Sequence, residues 1–329
     1  MSTPRVGERL AAALAAAGVP RDEVTEVGEL TGGTFNSVVR VATSDGAHLV
    51  VKLAPGPGVP VLRHERNLLA TEALFYRLAR EATEVPLPEP LTPEPDSSHL
   101  VMSHCPGTNW AESRQETGAR EHAVLRAELG RHVAALHTIK GEGFGYPSGA
   151  LGPLDDSWRA AFLRMVDAVL SDAARFGVAL PRPPAEILAL FAAQGALLDE
   201  VTVPHLVHFD LWDGNVLVDG DRIGALIDAE RAFWGDPLAD FVSLALLSDI
   251  ERDEDFLAAY RAAGGPAVVD AAGRRRIALY QAYLYLIMWV EAVPRQYGSE
   301  RLDWLRRKVV APLTALLDDL DDLDDLDGR

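Results

Sequence analysis

The chain has a single cysteine, Cys105, among its 329 residues. One cysteine excludes a disulfide within the chain and argues against a cysteine-based metal site, so we expect a cytoplasmic protein. Long apolar runs are also lacking, because no stretch reaches the roughly 18 residues that a membrane span needs. The Ala-rich start is interrupted by Arg5, Glu8 and Arg9, which favours an amphipathic first helix over a signal peptide. We therefore expect no membrane partner.

Basic residues are the second deficit. The chain has 31 Lys and Arg against 49 Asp and Glu, which gives a net charge of −18. An acidic protein repels phosphate backbones, so we expect no nucleic-acid partner, whereas a cationic partner is compatible with this charge. Part of the excess lies in the last residues, DDLDDLDDLDGR, which we interpret as a helix that frays toward Arg329. The expected oligomeric state is a monomer or a homodimer.

The first third of the chain is rich in β-type segments. Runs of Val and Leu bounded by Gly, Asp and Ser predict strands, and apolar residues at helical spacing predict helices. The predicted order is a helix, Arg5–Ala17, three strands, Val24–Leu30, Ser37–Ala42 and His48–Leu53, a helix, Arg63–Glu81, an extended Pro-rich connector, Val85–Pro95, and a fourth strand, His99–Ser103.

From about residue 105 the pattern becomes helical. The predicted helices are Glu121–Ile139, Trp158–Arg175, Pro184–Val201, Leu238–Ser248, Phe256–Ala263, Ala271–Val293 and Arg301–Leu317, the last kinked or split by Pro312. One hairpin, Val216–Val218 with Ile223–Ile227, interrupts them. A strand-rich front and a helix-rich back predict an α+β enzyme of two lobes, residues 1–104 and 105–329.

The segment Leu206–Glu230 has the spacing of a phosphoryl-transfer site. His208, Asp210 and Asn215 form H-x-D-x-x-x-x-N, and Asp228 closes the apolar run GALID thirteen residues after Asn215. Phosphoryl transfer needs a base for the attacking hydroxyl and oxygen ligands for a magnesium ion that bridges the phosphates. We predict that Asp210 is the base and that Asn215 and Asp228 ligate Mg²⁺.

These residues resemble the catalytic segment of the aminoglycoside phosphotransferase, choline kinase and fructosamine kinase group. The resemblance rests on HFDLWDGN, on LID and on GDPLAD at Gly235–Asp240, and the Leu-Trp-x-Gly-Asn ending is similar to the fructosamine kinase branch. It implies a protein-kinase-like fold with a small β-rich lobe, a larger helical lobe, and ATP with Mg²⁺ as cofactors. Phe209 replaces the Arg of H-R-D, and no A-P-E segment follows Asp228, which argues for a small-molecule rather than a protein substrate.

The resemblance also implies nucleotide contacts in the front lobe. Gly32, Gly33 and Thr34 match the loop that covers the phosphates, and Lys52 matches the strand lysine that contacts them. Glu65 and Glu72 lie on one face of the predicted helix, and we choose Glu72 as the partner of Lys52. The adenine is expected along Met102, Ser103 and Cys105, where Cys105 is a spectator thiol.

Other polar residues receive structural interpretations. Asp236 and Asp240 are expected to fix loops, and His132 and His137, five residues apart, lack the spacing of a zinc-binding helix. Glu291 either faces the substrate or is a solvated helix residue.

The acceptor is not specified by any motif. A net charge of −18 suits a cationic acceptor such as an aminoglycoside, another basic antibiotic or an amino sugar, and the Leu-Trp-x-Gly-Asn ending leaves a ketoamine or sugar open. The alternative to an enzyme is a kinase-like protein that binds nucleotide without turnover. ATP and GTP are not distinguished as donors.

Overall fold

The computed structural model describes residues 3–30, 35–92, 97–113 and 118–327. Helix α1 (Thr3–Ala16) precedes an antiparallel sheet whose strands have the order β1-β2-β3-β4. In the sequence, helix α2 (Leu68–Ala82) lies between β3 and β4. The four strands are β1 (Val24–Leu30), β2 (Ser37–Thr43), β3 (His48–Leu53) and β4 (His99–Ser103). All four predicted strands are present within two residues of their predicted ends.

Alternation along β3 divides its side chains between two layers. Leu49 and Val51 are buried with Ala13 and Leu14 of α1 in one apolar cluster. Because successive side chains of a strand point to opposite faces, Lys52 points away from α1 and toward α2. The alternation of β3 therefore sends the one lysine of this strand into the interior between the sheet and α2.

The helix before β4 is shorter than predicted. Arg63–Glu65 forms a 3₁₀ turn, and Asn67 adopts a left-handed conformation with φ 64° before α2 begins. The Glu65 carboxylate turns back to accept a hydrogen bond from the Leu62 N–H at 2.7 Å and pairs with Arg295 at 2.5 Å. The single helix predicted over Arg63–Glu81 is thus wrong, because these interactions depend on neighbours that apolar spacing does not reveal.

The described part of the Pro-rich connector, residues 85–92, is extended, as predicted, and runs beside β4. The Leu91 N–H donates to the Val101 carbonyl at 2.8 Å, and the Ser103 N–H donates to the Glu89 carbonyl at 2.9 Å. Prolines interrupt the donor series, so this pairing stays short.

The carboxy-terminal part is mainly helical, with short strands around the predicted catalytic segment. Its helices are α3 (Trp110–Ser113), α4 (Ala119–Leu136), α5 (Trp158–Phe176), α6 (Pro184–Ala193), α7 (Gly195–Asp199), α8 (Asp240–Leu244), α9 (Glu254–Ala262), α10 (Ala271–Val290), α11 (Ser299–Leu305) and α12 (Ala311–Asp327). The strands are β5 (Thr108–Asn109), β6 (His205–Val207), β7 (Val216–Asp219), β8 (Arg222–Leu226) and β9 (Phe233–Gly235), in the sheets β5-β7-β8 and β6-β9.

Two helices predicted in this part differ most from the observed ones. Pro184–Val201 is divided at Gln194 into α6 and α7, and Leu238–Ser248 shrinks to a 3₁₀ turn followed by the five residues of α8. The acidic tail is helical as far as Asp327, as its interpretation from the sequence expects, and a π-helical segment, Arg306–Val310, precedes Pro312. Proline cannot donate to the preceding turn, so the irregular segment is accommodated where that hydrogen bond is missing.

An aromatic core holds the helical part together. The Trp158 ring stacks on Phe162 and Phe233, with centroids 5.2 and 5.8 Å apart, and its indole N–H donates to the Tyr280 hydroxyl at 2.8 Å. Because Phe233 lies on β9, which pairs with β6, this core supports the strand that leads into the predicted catalytic loop. Among the described residues, no helix has the length and apolar character that crossing a bilayer requires. The boundary predicted at residues 104 and 105 stays a prediction.

Replacing Gly130 by Ala tests the close approach of α4 and α9. A Cβ there would lie 2.5 Å from the Phe256 carbonyl oxygen and 3.0 Å from the Tyr260 nitrogen. We expect Gly130→Ala to lower the free energy of unfolding by about 1–3 kcal/mol in urea, because overpacking outweighs the better helix propensity of Ala. Gly7→Ala in α1, where a Cβ meets nothing within 4 Å, is the control and should stabilise or be neutral. Equal effects of the two substitutions would contradict the packing argument.

Candidate functional site

The Lys52 ammonium is the centre of the candidate site. Its Nζ donates to Glu72 at 2.7 and 2.8 Å and to Asp228 Oδ1 at 2.5 Å. Lys52 is 6% exposed and Glu72 is fully buried. Burial alone would lower the pKa of Lys52, but the charges of Asp228 and Glu72 raise it above its usual value. The ammonium therefore stays charged and joins β3, α2 and the loop after β8.

Of the two glutamates considered for Lys52, Glu72 receives its ammonium. Glu65, seven residues earlier, lies beyond the break at Asn67 and pairs with Arg295 instead. The break turns Glu65 away from the face that Glu72 presents to β3.

Tyr76 is a site residue that the sequence reasoning missed. Its hydroxyl donates to Glu72 Oε1 at 2.8 Å and accepts from the Asp228 N–H at 2.9 Å. Burial raises the pKa of Tyr76 well above its usual value, so the hydroxyl keeps its proton. Asp228 has a left-handed backbone conformation, with φ 66°, which is unfavourable for most residues other than Gly. The only signal in the sequence is that Tyr76 follows Glu72 by four residues and so shares its helix face.

Asp240 binds the backbone of the predicted catalytic loop. Its carboxylate accepts from the N–H groups of His208, at 3.1 Å, and Phe209, at 2.6 Å, and contacts His137 Nε2 at 2.9 Å. Phe209 has φ 62°, and its ring packs between Phe233 and Tyr283. The aromatic surroundings explain why Phe replaces a charged residue at this position. Asp240 has the loop-fixing contacts that the sequence analysis expected.

His208 connects the loop that carries Asp210 with the segment that precedes Asp228. Its Nδ1 accepts from the Asp210 N–H at 3.3 Å, and its Nε2 lies 3.1 Å from the Ile227 carbonyl oxygen. Burial lowers the pKa of His208. A neutral imidazole with its proton on Nε2 satisfies both contacts. It holds the residue before Asp228 against the loop that bears Asp210.

Asn215 is oriented by its amide nitrogen. The Nδ2 group donates to the Asp210 carbonyl at 2.7 Å, and the Asn215 carbonyl accepts from the Ile227 N–H at 2.9 Å. The amide oxygen is then the Asn215 side-chain atom suited to a cation. The structure thus brings the segments of Asn215 and Asp228 side by side.

The Asp210 carboxylate is partly exposed, at 28%, and lies 3.8 Å from Arg231 Nε. Desolvation raises the pKa of Asp210 to about 7, against the opposing effect of Arg231 and with a further rise from Asp228. A carboxylate with a pKa near neutrality is well suited to accept a proton at neutral pH.

Glu230 is the second residue that sequence reasoning missed. Among the described residues, the carboxylate groups of Glu72, Asp228 and Glu230 each have an oxygen within 4.8 Å of an oxygen of the other two. The Asn36 amide donates to Glu230 at 2.5 Å, and burial followed by the charge of Asp228 raises the pKa of Glu230 to about 8. Carboxylate and amide oxygens are the ligands that Mg²⁺ prefers, and Asn215, Asp228 and Glu230 offer oxygens of this kind.

A close ring contact accounts for the glycine in the Leu-Trp-x-Gly-Asn segment. A Cβ on Gly214 would lie 2.2 Å from the Trp212 ring, which packs directly over it. Trp212 nevertheless remains 39% exposed, two residues after Asp210 in the chain. Any side chain at position 214 would displace this ring from its place between Asp210 and Asn215.

The predicted adenine contacts lie at the end of β4. Met102 is buried, Ser103 is partly buried, and burial raises the pKa of the Cys105 thiol. The Ser103 and His104 N–H groups are already used, by the Glu89 and His48 carbonyls. An adenine contact here would therefore use carbonyl groups or the Cys105 N–H, and it stays a prediction. Gly32, Gly33 and Thr34 lie outside the described residues.

A cavity of about 500 Å³ borders the site on the side of α2. It reaches the site at Asn36, which bonds to Glu230, and at Glu65, which bonds to Arg295. Residues 54–59 and Gly149–Ala150 complete its wall. Part of a small molecule has room there.

Comparison with known proteins gives a family model that matches residues 26–280, described as the phosphotransferase enzyme family, APH. Among curated proteins no match is found. Solved structures with the same fold include a protein assigned as a fructosamine-3-kinase from Thermobifida fusca YX-ER1, with TM-score 0.69, 22% identity, and coverage of 93% of this chain and 97% of that one.

Two further structures are similar over nearly the whole chain. The gentamicin complex of APH(2″)-IIa has TM-score 0.65 and 17% identity, with coverage of 96% and 99%. Macrolide 2′-phosphotransferase MphH from Brachybacterium faecium has TM-score 0.58 and 21% identity, with coverage of 94% and 98%. The predicted two-lobed, protein-kinase-like fold is confirmed by these likenesses.

Replacing Tyr76 by Phe tests the link between α2 and Asp228. The change leaves the Asp228 N–H without its partner in a buried setting, so we expect the free energy of unfolding to fall by about 1–3 kcal/mol. The control is Tyr285→Phe, which removes a buried hydroxyl that accepts only from the partly exposed Gln281 amide. Urea denaturation of both variants makes the comparison. An equal loss in both would show that the Tyr76 bridge has no special weight.

Proposed function

Because the chain belongs to the phosphotransferase enzyme family, we propose that it transfers the γ-phosphate of ATP to a hydroxyl group of a small molecule. The observation that carries the proposal is the buried contact of one lysine with both Glu72 and Asp228. Such a lysine, beside a base and oxygen ligands, is the charge arrangement that phosphoryl transfer requires.

Each charged group has a role in the proposed reaction. Lys52, held by Glu72, contacts the phosphates of ATP, and its bond to Asp228 opens when the nucleotide binds. Asn215, Asp228 and Glu230 would hold Mg²⁺, which supplies neutralisation of the phosphate charge when bound. Gly32, Gly33 and Thr34 are proposed to cover the phosphates with backbone N–H groups.

Asp210 is the proposed base. It accepts the proton of the acceptor hydroxyl as the hydroxyl oxygen bonds to the γ-phosphorus, and the bond from that phosphorus to the bridging oxygen of ADP breaks. The pKa near 7 supports this role, because a substantial fraction of the carboxylate is ionised at neutral pH and that fraction is basic enough to take a proton. Positioning and charge neutralisation supply most of the acceleration.

We further propose that the acceptor is a sugar that carries an amine. Aminoglycosides, amino sugars and ketoamines share this chemistry. The net charge of −18 is compatible with a cationic acceptor, and the similarity of Leu211–Asn215 to the fructosamine kinase pattern supports a ketoamine. The cavity next to Asn36 and Glu65 has the volume for part of such a molecule.

Replacing Asp210 by Asn tests the function and the base together. ADP release from MgATP is measured with a panel of aminoglycosides, basic peptide antibiotics, amino sugars, ketoamines and choline. We expect acceptor-dependent turnover that falls by about 10²-fold or more in Asp210→Asn, while MgATP affinity stays within a few-fold. Asp219→Asn, at the partly exposed end of β7, is the control for the same chemical change and should keep wild-type turnover.

Two outcomes contradict this assignment. Near-wild-type turnover in Asp210→Asn excludes Asp210 as the base. Tight MgATP binding without turnover on any acceptor favours the alternative, a protein that binds nucleotide without chemistry.

Replacing Asp228 by Asn tests the proposed metal ligand separately. The variant loses a charged oxygen ligand of Mg²⁺, so affinity for MgATP should fall at least about tenfold more than affinity for metal-free ATP. Calorimetric titration with and without EDTA measures both affinities. Equal losses for the two forms of ATP would contradict the role of Asp228 as a ligand.

A further inference from the structure

A chain of buried ion pairs begins at the proposed base and ends near the amino terminus of α2. Arg231 lies 3.8 Å from Asp210 Oδ2 and 2.8 Å from Glu291 Oε2. Arg295 lies 3.2 Å from the same Glu291 oxygen and 2.5 Å from Glu65 Oε1. The side chains of Arg231, Glu291 and Arg295 are only 9–12% exposed. Charges with so little access to water are retained only when they are paired.

Glu291 is held by several contacts at the end of α10. It follows the last residue of α10, and its N–H donates to the Ile287 carbonyl at 2.9 Å. Its Oε2 is shared by two guanidinium groups, and its Oε1 lies 3.5 Å from the Tyr297 hydroxyl. A carboxylate engaged in this way is poorly placed to bind an amine of the acceptor.

Arg231 forms a hydrogen bond with Glu291 but not with Asp210. The Arg231–Glu291 contact is a hydrogen bond, whereas 3.8 Å to Asp210 exceeds hydrogen-bond length. In the part of the chain that the structure describes, no donor is bonded to an Asp210 carboxylate oxygen. Asp210 thus experiences the charge of Arg231 but keeps its lone pairs free.

We propose that Glu291 is a positioning residue that holds Arg231 away from the base, an inference that rests on the proposed function of Asp210. Glu291 and Asp210 compete for one guanidinium, and Glu291 wins because Arg295 and the end of α10 hold its carboxylate in place. Without that carboxylate, Arg231 closes onto Asp210 and donates to the oxygen that the acceptor hydroxyl needs. The base is then blocked although every residue that contacts nucleotide is intact.

Replacing Glu291 by Gln tests this inference with the acceptor identified by the panel. We expect kcat to fall about tenfold to a hundredfold, while the KM of the acceptor and the affinity for MgATP change less than about threefold. Glu291→Asp, which keeps the charge, should retain more of kcat than Glu291→Gln. The control is Asp172→Asn, another buried carboxylate paired with an arginine, Arg175 at 3.0 Å, which should lower stability without lowering kcat.

The double variant Glu291→Gln/Arg231→Gln separates positioning from a merely structural role. Removing the guanidinium that blocks Asp210 should restore kcat above that of Glu291→Gln alone. A double variant as slow as Glu291→Gln alone, or slower, would overturn the inference. An increase in the acceptor KM with unchanged kcat in Glu291→Gln would overturn it too, because Glu291 would then bind the acceptor directly.

A crystal structure of Glu291→Gln tests the inference without turnover. We expect Arg231 within hydrogen-bond distance of Asp210, about 2.9 Å. A guanidinium that stays in its wild-type position would overturn the proposal even if no acceptor is found. Absence of turnover in the wild-type protein counts against the proposed function alone.

Discussion

The Lys52 ammonium bears a full charge in the interior of the protein, and the rest of the site is arranged to compensate it. An unpaired charge at 6% exposure would be very costly, so Glu72 and Asp228 must both be in place when the chain is folded. These three residues come from β3, from α2 and from the loop after β8. The packing of the sheet on α2 and the position of the loop after β8 therefore depend on the same ion pairs. Tyr76 adds hydrogen bonds between α2 and this loop.

Backbone strain in the site is stabilised by neighbouring carboxylate and hydroxyl groups. Phe209 and Asp228 both have left-handed conformations, which cost about 1–2 kcal/mol at Phe209 and less at Asp228, because Asp tolerates this region better than most residues. Asp240 offsets this cost at Phe209 by accepting its N–H, and Tyr76 does so at Asp228. Both supports are buried, where hydrogen bonds to the backbone are hard to replace with water. One strained residue, Phe209, precedes Asp210 in the chain, and the other, Asp228, is itself a proposed metal ligand.

The overall charge of the protein is a poor guide to the electrostatics beside Asp210. The chain is acidic by 18 charges, yet Glu291 and Glu65, in the ion-pair chain that begins at Asp210, are each paired with an arginine. The cation Arg231 lies 3.8 Å from Asp210. A cationic acceptor would thus need anionic contacts other than Glu291 and Glu65.

The sequence by itself determined the features that depend on short spacing. A run of Val and Leu bounded by turn residues predicted β3, which carries Lys52, and the turn DGDR predicted a hairpin between Asn215 and Asp228 that the structure contains. Other features depend on partners distant in the chain, and only the tertiary structure decided them: the break at Asn67, the bridge from Tyr76 to Asp228, the bond from Asn36 to Glu230, and the hold of Glu291 on Arg231. Local periodicity carries no information about these contacts, because their energy arises only when packing removes water from both partners.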